Sequence, residues 1–182
     1  VHAFSAKGQR LGETPFKLAA GETVATAAIE LPLELRNQVT RLEIAGTRSA
    51  GSVSLRWEDQ CYISPSGARL DRLGAADFVP LAVGGSNTWQ LKRASSEHRL
   101  HLACYRVRPD AQTVLRIQPP HCMALGCAGL SLGAVSPTFF LAVGAEAPLL
   151  PYSAPASQAL SDAVAEAIVH HDALLLRNQG LL

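Results

Sequence analysis

Charge is scarce in this sequence and almost balanced. Lysine and arginine number 16, aspartate and glutamate 15, and the formal net charge is +1. Such a chain offers no electrostatic ground for binding nucleic acid or an anionic membrane. Long apolar runs are missing as well. A membrane span needs about 20 apolar residues, and the longest candidate, Leu141 to Leu150, is broken by Gly144, Glu146 and Pro148. No N-terminal stretch has the charged start and apolar middle of a signal peptide. There is no internal repeat and no low-complexity linker. These absences lead us to expect a cytoplasmic protein.

Cysteine is sparse too. Cys61, Cys104, Cys122 and Cys127 are spread out in apolar surroundings, as buried, reduced thiols are. A zinc site built from Cys122, Cys127 and neighbouring histidines would match no structural-zinc spacing.

What is present suits one globular domain. The chain has 182 residues, 48% of them hydrophobic, enough to bury roughly 70% of its unfolded surface. Val1 to Phe16 reads as strand-rich, with turn signals at Lys7-Gly8 and Gly12. Thr23 to Leu31 fits a strand or a helix start. From Leu33 the apolar residues Leu35, Val39, Leu42 and Ala45 recur at helical spacing, and Gly46 would stop that helix. Val53 to Trp57 alternates as a half-buried strand does, and Cys61-Tyr62-Ile63 is the return strand of a hairpin. Phe78 to Val83 is a further short strand.

Ser95-Ser96-Glu97 reads as a helix start, because serine oxygens cap free amides and an early carboxylate suits the positive end. Later come a helix from Met123, a strand from Pro148 to Tyr152 and a helix from Ser157 to Val169 capped by Ser157. A buried strand, Asp172 to Leu176, follows, with a turn at Asn178-Gln179-Gly180. Strands alternating with helices argue for a layered α/β domain.

One stretch stands out for chemistry. Thr113-Val114-Leu115-Arg116-Ile117-Gln118 reads as a strand, and Pro119-Pro120 ends it abruptly. Arg116 and Gln118 share one face while Ile117 points the other way. His121 and Cys122 follow at once. Polar side chains at a strand end beside a hard turn are a common place for function.

Seven short motifs in order carry a resemblance. They are Ser49 to Arg56, Ile63 to Gly67, Ser95-Ser96-Glu97, Tyr105 to Asp110, Pro119-Pro120-His121, Leu150-Pro151-Tyr152 and Leu175 to Leu181. Together they resemble the class II aldolase/adducin family over about residues 35–182. The resemblance implies a three-layer α/β/α fold with a mainly antiparallel central sheet. It also implies a homo-oligomer, often a tetramer with sites between subunits, and a phosphorylated small molecule as ligand. Familiar members are zinc-dependent aldolases acting on phosphorylated ketoses. Relatives epimerise, dehydrate or decarboxylate, and adducin's head domain shares the fold without that chemistry.

The family's phosphate loop matches Ser52, Ser66, Gly67, Ser95 and Ser96. Hydroxyls and free amides at turns and a helix N-terminus suit an anion, though the same serines could simply cap a turn and a helix. Glu97 matches the catalytic acid/base, or it is an ordinary early-helix carboxylate. The metal ligands of relatives, a His-x-His at the strand end and a His after the late strand, match Arg116, Gln118 and Gln179. A glutamine amide is a poor zinc ligand, and arginine offers only donors. A unit positive charge about 4 Å from a divalent ion costs about 8 kcal/mol at an effective dielectric of ~20. We therefore expect no zinc or other cofactor at this site.

The remaining histidines offer no replacement. His98 and His101, three apart on one helix, are expected to face solvent or an interface, and His170-His171 to lie exposed in a turn. His121 is the best remaining polar candidate. Phe139-Phe140 falls near the place where fuculose aldolases use a protonating tyrosine, which phenylalanine cannot replace.

Two readings follow. One is a non-catalytic family member, a pseudoenzyme or assembly domain. The other is a metal-independent lyase of aldolase, decarboxylase or epimerase type. It would act on a phosphorylated sugar or keto acid, with Glu97 as acid/base and Arg116 as electrophile. A phosphate loop surviving as a ligand sensor is a third, blander reading.

The two ends of the chain depart from the family. Residues 1–33 form a strand-rich extension of unclear origin. That stretch, with Leu33 to Asn37 and Arg41 to Gly46, looks like part of bacterial aerotolerance-type inner-membrane proteins. Residues 34–182 form the aldolase/adducin-like domain, which is expected to lack the family's usual C-terminal end.

Overall fold

The computed structural model describes residues 2–4, 10–13, 25–30, 41–46, 51–87 and 89–182. The first four strands are β1 (His2–Phe4), β2 (Arg10–Glu13), β3 (Ala25–Glu30) and β4 (Arg41–Gly46). They form an antiparallel sheet in the order β2-β1-β4-β3. Over Ala25–Glu30, β3 resolves the strand-or-helix ambiguity in favour of a strand. β4 corrects the helix expected to run from Leu33 through Ala45. Leu42 lies at helical spacing from Val39, but it also alternates with Ile44 at a strand's period of two, and the two pair with Ile29 and Ala27 of β3. Where local pattern fits both, the partner strand decides. Residues 33–40 of that expected helix lie outside the described residues.

The second sheet carries the site. β5 (Ser52–Trp57) and β6 (Gln60–Ile63) form the expected hairpin, turning at Glu58 with a left-handed φ of 51°. β7 (Val79–Ala82) adds beside β6, and β8 (Thr113–Arg116) beside β5, all antiparallel. Between β7 and β8 runs α1 (His98–Val107). After β8 come α2 (Pro120–Ala128), β9 (Leu132–Gly133), α3 (Pro137–Val143) and β10 (Glu146–Ala147). The chain closes with β11 (Leu149–Leu150), α4 (Gln158–Ile168), β12 (Leu175–Leu176) and β13 (Gly180–Leu181). β9 and β10 pair as a short ribbon. β11 runs parallel to β12, and β12 forms a hairpin with β13.

The prolines do more than stop a strand. Pro119 is the N-cap of α2 and Pro120 its first residue, where a fixed φ and a missing N–H cost nothing. Just before them, Ile117 exchanges both backbone hydrogen bonds with Leu181, each 2.9 Å. This bridge joins the end of β8 to the β12–β13 hairpin.

The sheet faces follow from alternation. Val114 packs on one side with Leu100, Leu102, Cys104 and Tyr105 of α1 and Leu160, Val164 and Ile168 of α4. The α4 residues recur every four positions, one stripe of a helix, and Ser157 caps that helix by accepting from the Leu160 amide at 3.1 Å. Each leucine so buried contributes about 1.5–3 kcal/mol. On the other side Val53 and Leu55 pack with Leu70, Leu73 and Phe78, and Leu115 and Ile117 lie against them. Arg116 therefore extends from the face that α1 covers. Among the described residues no helix is long and apolar enough to cross a membrane.

Candidate functional site

The site lies where β5 begins, β8 ends and α1 begins. Ser52 and Arg116 are direct partners across the β5–β8 ladder, as are Ser54 and Val114. The close join needs Gly51, since a Cβ there would sit 2.6 Å from the Arg116 carbonyl oxygen. Above these strands Glu97, the N-cap of α1, and His101 and Tyr105 within it recur at four-residue intervals, one face of a helix.

Tyr105 Oη lies 2.9 Å from Ser54 Oγ. His101 Nδ1 lies 2.7 Å from Ser54 Oγ, and its Nε2 lies 2.7 Å from Ser52 Oγ. A helical turn of about 6 Å per four residues keeps pace with a strand's roughly 6.7 Å per two. Ser52, the ladder partner of Arg116, meets His101, and Glu97 stands one helical turn further on, at the start of the helix.

His101 corrects the expectation that it faces solvent or an interface: it is wholly buried. Burial, then the charges of Arg116 and His98, push its pKa down to about 3. The ring is neutral, so one serine hydroxyl donates to it and the other accepts. His98 is half-buried at the helix start, its Nδ1 3.0 Å from the Ser95 carbonyl oxygen.

The turn after β6 completes the cluster. Ser66 N donates to Arg93 O at 2.9 Å and Ser95 N to Ser64 O at 3.0 Å, zipping residues 64–66 to residues 93–95. Ser64 Oγ accepts from Val53 N at 3.2 Å. Ser95 Oγ accepts from Glu97 N at 3.3 Å and so keeps its own proton to donate. Ser95 is buried, whereas Ser66, Gly67 and Ser96 are exposed. Gly67 takes a left-handed φ of 72°. Thus Ser66, Gly67, Ser95 and Ser96, four of the five residues matched to a phosphate loop, lie on two adjoining turns, and the fifth, Ser52, lies on β5. Ser52 differs in being committed to His101.

Three polar groups in this region are unsatisfied. Glu97 Oε2, Arg116 Nε and Gln179 Oε1 have no hydrogen-bond partner among the described residues, although their residues are 8%, 7% and 4% exposed. Gln179 reaches the site through the β12–β13 turn, where Asn178 adopts a φ of 61° and Gly180 one of 115°. The Gly180 Cα backs onto Gln118: a Cβ there would lie 3.1 Å from the Gln118 Cα. The Gln179 amide nitrogen donates to Ser153 O at 2.7 Å, which fixes the amide and leaves Oε1 open. Each unpaired buried group costs about 1–3 kcal/mol, more when charged, so these three side chains weigh against the stability of the fold.

These side chains do not fit a zinc ion. Among the described residues no three His, Cys, Asp or Glu side chains are placed to share one. The strand end and the turn supply a guanidinium and two amides.

Elsewhere the candidates disperse. His121 is exposed on the first turn of α2, His170 is exposed and His171 half-buried. Phe140 on α3 is exposed. All four cysteines are free. Burial pushes the Cys61 and Cys104 thiols up to about 12, so neither is a nucleophile. Cys127 is exposed, against the expectation that all four are buried.

His101, Ser54, Tyr105 and Ser64 were missed by sequence reasoning. Their signal was the spacing Glu97, His101, Tyr105 on a helix otherwise lined by Leu100, Leu102 and Cys104, facing alternate serines on a strand.

The molecule is thus an α/β domain with a mainly antiparallel sheet and a polar site at the start of a helix. The chain belongs to the family described as class II aldolase and adducin N-terminal domain, whose model matches residues 40–182. It is 33% identical over 145 residues to the L-fuculose phosphate aldolase of Escherichia coli strain K12, an alignment covering 80% of this chain and 66% of that enzyme. It is 31% identical over 137 residues to the 5-deoxy-D-ribulose 1-phosphate aldolase of Bacillus thuringiensis serovar kurstaki, covering 75% and 64%. The crystal structure of l-fuculose-1-phosphate aldolase from Thermus thermophilus superposes with a TM-score of 0.66 at 28% identity, covering 75% of this chain and 68% of that one. The chain therefore spans a little under two thirds of the length of the curated relatives it matches.

Proposed function

We propose that this chain is a class II aldolase-family domain that has lost zinc-dependent aldol chemistry and acts as a non-catalytic, ligand-binding or assembly domain. The observation carrying this reading is Arg116. Its guanidinium is buried, in register with Ser52, at the strand end where the family resemblance sets the first metal ligand. A fixed cation there repels a divalent ion, and Gln118 and Gln179 offer weak ligands in compensation. The turns holding Ser66, Gly67, Ser95 and Ser96 still suit a phosphorylated small molecule. Self-association, as in the family, belongs to the same reading.

The test is metal analysis of purified protein after incubation with excess zinc, beside retro-aldol assays on L-fuculose 1-phosphate and 5-deoxy-D-ribulose 1-phosphate. The expected result is far less than one zinc per chain and no turnover. Cleavage that chelation abolishes would overturn the proposal. Arg116→His, Gln118→His and Gln179→His made together should raise zinc binding toward one per chain.

A second reading has its own observation, the free carboxylate oxygen of Glu97. In a metal-independent lyase Glu97 takes the proton from a substrate hydroxyl. The electrons of the breaking carbon–carbon bond then pass into an enolate held by Arg116. Glu97→Gln and Arg116→Ala would each abolish turnover of a phosphorylated sugar or keto acid. Unchanged turnover in both would rule this reading out.

A further inference from the structure

A groove beside α1 plays no part in the strand-end site. It is a cleft of about 360 Å³ between α1, α4 and the segment that leads into the short 3-10 helix Trp89–Lys92. Leu91, Leu102, Ala103, Val107 and Ala165 give it apolar surface. One wall is held firmly, because Asn87 is tied twice to Ala82. Its Oδ1 accepts from Ala82 N at 2.8 Å, and its Nδ2 donates to Ala82 O at 2.9 Å. Arg99, Ala103 and Arg106 recur at steps of four and three, one row of a helix. That row is turned away from His101 and Tyr105, which meet the serines of β5.

Besides His98, three charged side chains line the groove: Arg99, Arg106 and Asp162. Arg99 has no hydrogen bond or ion pair among the described residues. Arg106 gives only its Nε, to Val83 O at 2.9 Å, which anchors the guanidinium and leaves its outer nitrogens open. Asp162 Oδ1 accepts from Gln158 Nε2 at 2.8 Å, and Oδ2 is open. Arg108 sets the order of these charges. Its Nη1 donates to Ile168 O at 3.0 Å and to His171 O at 3.4 Å, joining the C-terminal ends of α1 and α4. Counting back from Arg108 and Ile168 by the same number of residues, about 9 Å of helix, brings Leu102 and Asp162 to one level. Along the groove the charges therefore run positive, negative, positive, about one per turn.

We infer that this groove docks an amphipathic helix of another polypeptide that carries the opposite row: Glu, Lys and Glu at successive turns. A helix repeats side chains at these same intervals, so one face of it meets all three charges together. Ala103 in the middle of the row lets the two backbones approach closely. Apolar residues beside the charged row cover Leu91, Leu102, Val107 and Ala165, as in a helix-in-groove complex. Exposed ion pairs add little affinity. Burial of the apolar strip supplies the binding, and the charges fix register and partner.

The experiment is fluorescence anisotropy of a labelled, Ala-rich peptide of about 18 residues, titrated with the full chain. The peptide carries Leu at three- and four-residue spacing and Glu, Lys, Glu on the adjoining row. A second peptide carries Lys, Glu, Lys instead. The parent chain should saturate with the first peptide and bind the second at least tenfold more weakly. The triple variant Arg99→Glu, Asp162→Lys, Arg106→Glu should reverse that preference. A misfolded variant would bind neither peptide, so the reversal guards against loss of structure. No saturation by the parent, equal affinity for the two peptides, or an unchanged preference in the triple variant would each overturn the assignment. A dimer of the parent that the triple variant abolishes, with neither peptide bound, would overturn it in favour of a second copy of this chain.

Discussion

Glu97 and His101 stand one helical turn apart, joined by a 3.3 Å hydrogen bond from the His101 amide to the Glu97 carbonyl, yet their side chains meet opposite conditions. Both ring nitrogens of His101 are partnered by serine hydroxyls. The Glu97 Oε2 has no partner among the described residues. Between these two residues the ladder changes from structure to site.

Acid should unfold this domain partly through His101. The unfolded imidazole titrates near its ordinary value of 6.5, while the folded one is held down at about 3. Below pH 6.5 the unfolded chain gains a proton that the folded chain refuses, so stability is full above that pH and falls as acid is added. The loss reaches about 3 kcal/mol by pH 4. Urea unfolding at pH 7 and pH 4, for the parent and His101→Gln, would show it as a steeper pH slope in the parent. Equal slopes would acquit His101.

Removing the Arg116 charge should stabilise the fold. Arg116→Met keeps most of the volume and eliminates a buried cation that has no ion-pair partner among the described residues. A gain of about 1–2 kcal/mol is expected, read as a higher urea midpoint with an unchanged slope. A loss of stability would mean that Arg116 is held by something other than a ligand.

Gly180→Ala should be costly. A Cβ there would collide with the Ile117 carbonyl oxygen, and φ is 115°. The two 2.9 Å bonds of the Ile117–Leu181 bridge would have to stretch. The expected cost is roughly 3–4 kcal/mol, measured by chemical unfolding.

Ser157→Ala removes the side-chain cap of α4 and should cost about 1 kcal/mol, whereas Ser157→Asp should be close to neutral. Paired thermal melts would separate the two, and equal losses would show that the cap bond is not what holds this helix end.

Much of this architecture was legible because local chemistry and tertiary packing agree. The serine before α4, the alternation of β5 and the proline-limited end of β8 each specify their element with little help from elsewhere. The strand at Arg41 to Gly46 was misread because Leu42 satisfies two periods at once, three residues after Val39 and two before Ile44, and only pairing with β3 chooses between them. His101 was misread for a related reason. A histidine looks polar in a sequence, and nothing local announces that two strand serines will meet its ring. Arg116 and Gln179, by contrast, were singled out through their place in a family pattern, and the structure adds that both are buried.

The distribution of thiols has a practical consequence. Cys61, Cys104 and Cys122 are buried, and burial raises each of their pKa values. Cys127 alone is exposed, on α2 beside Gly126, where an added Cβ would lie 3.5 Å from the Asn178 amide nitrogen. A maleimide dye would therefore attach at one position without mutagenesis. It would sit one residue along α2 from Gly126, the position that packs on the turn carrying Gln179, so its emission could be followed while ligands are added.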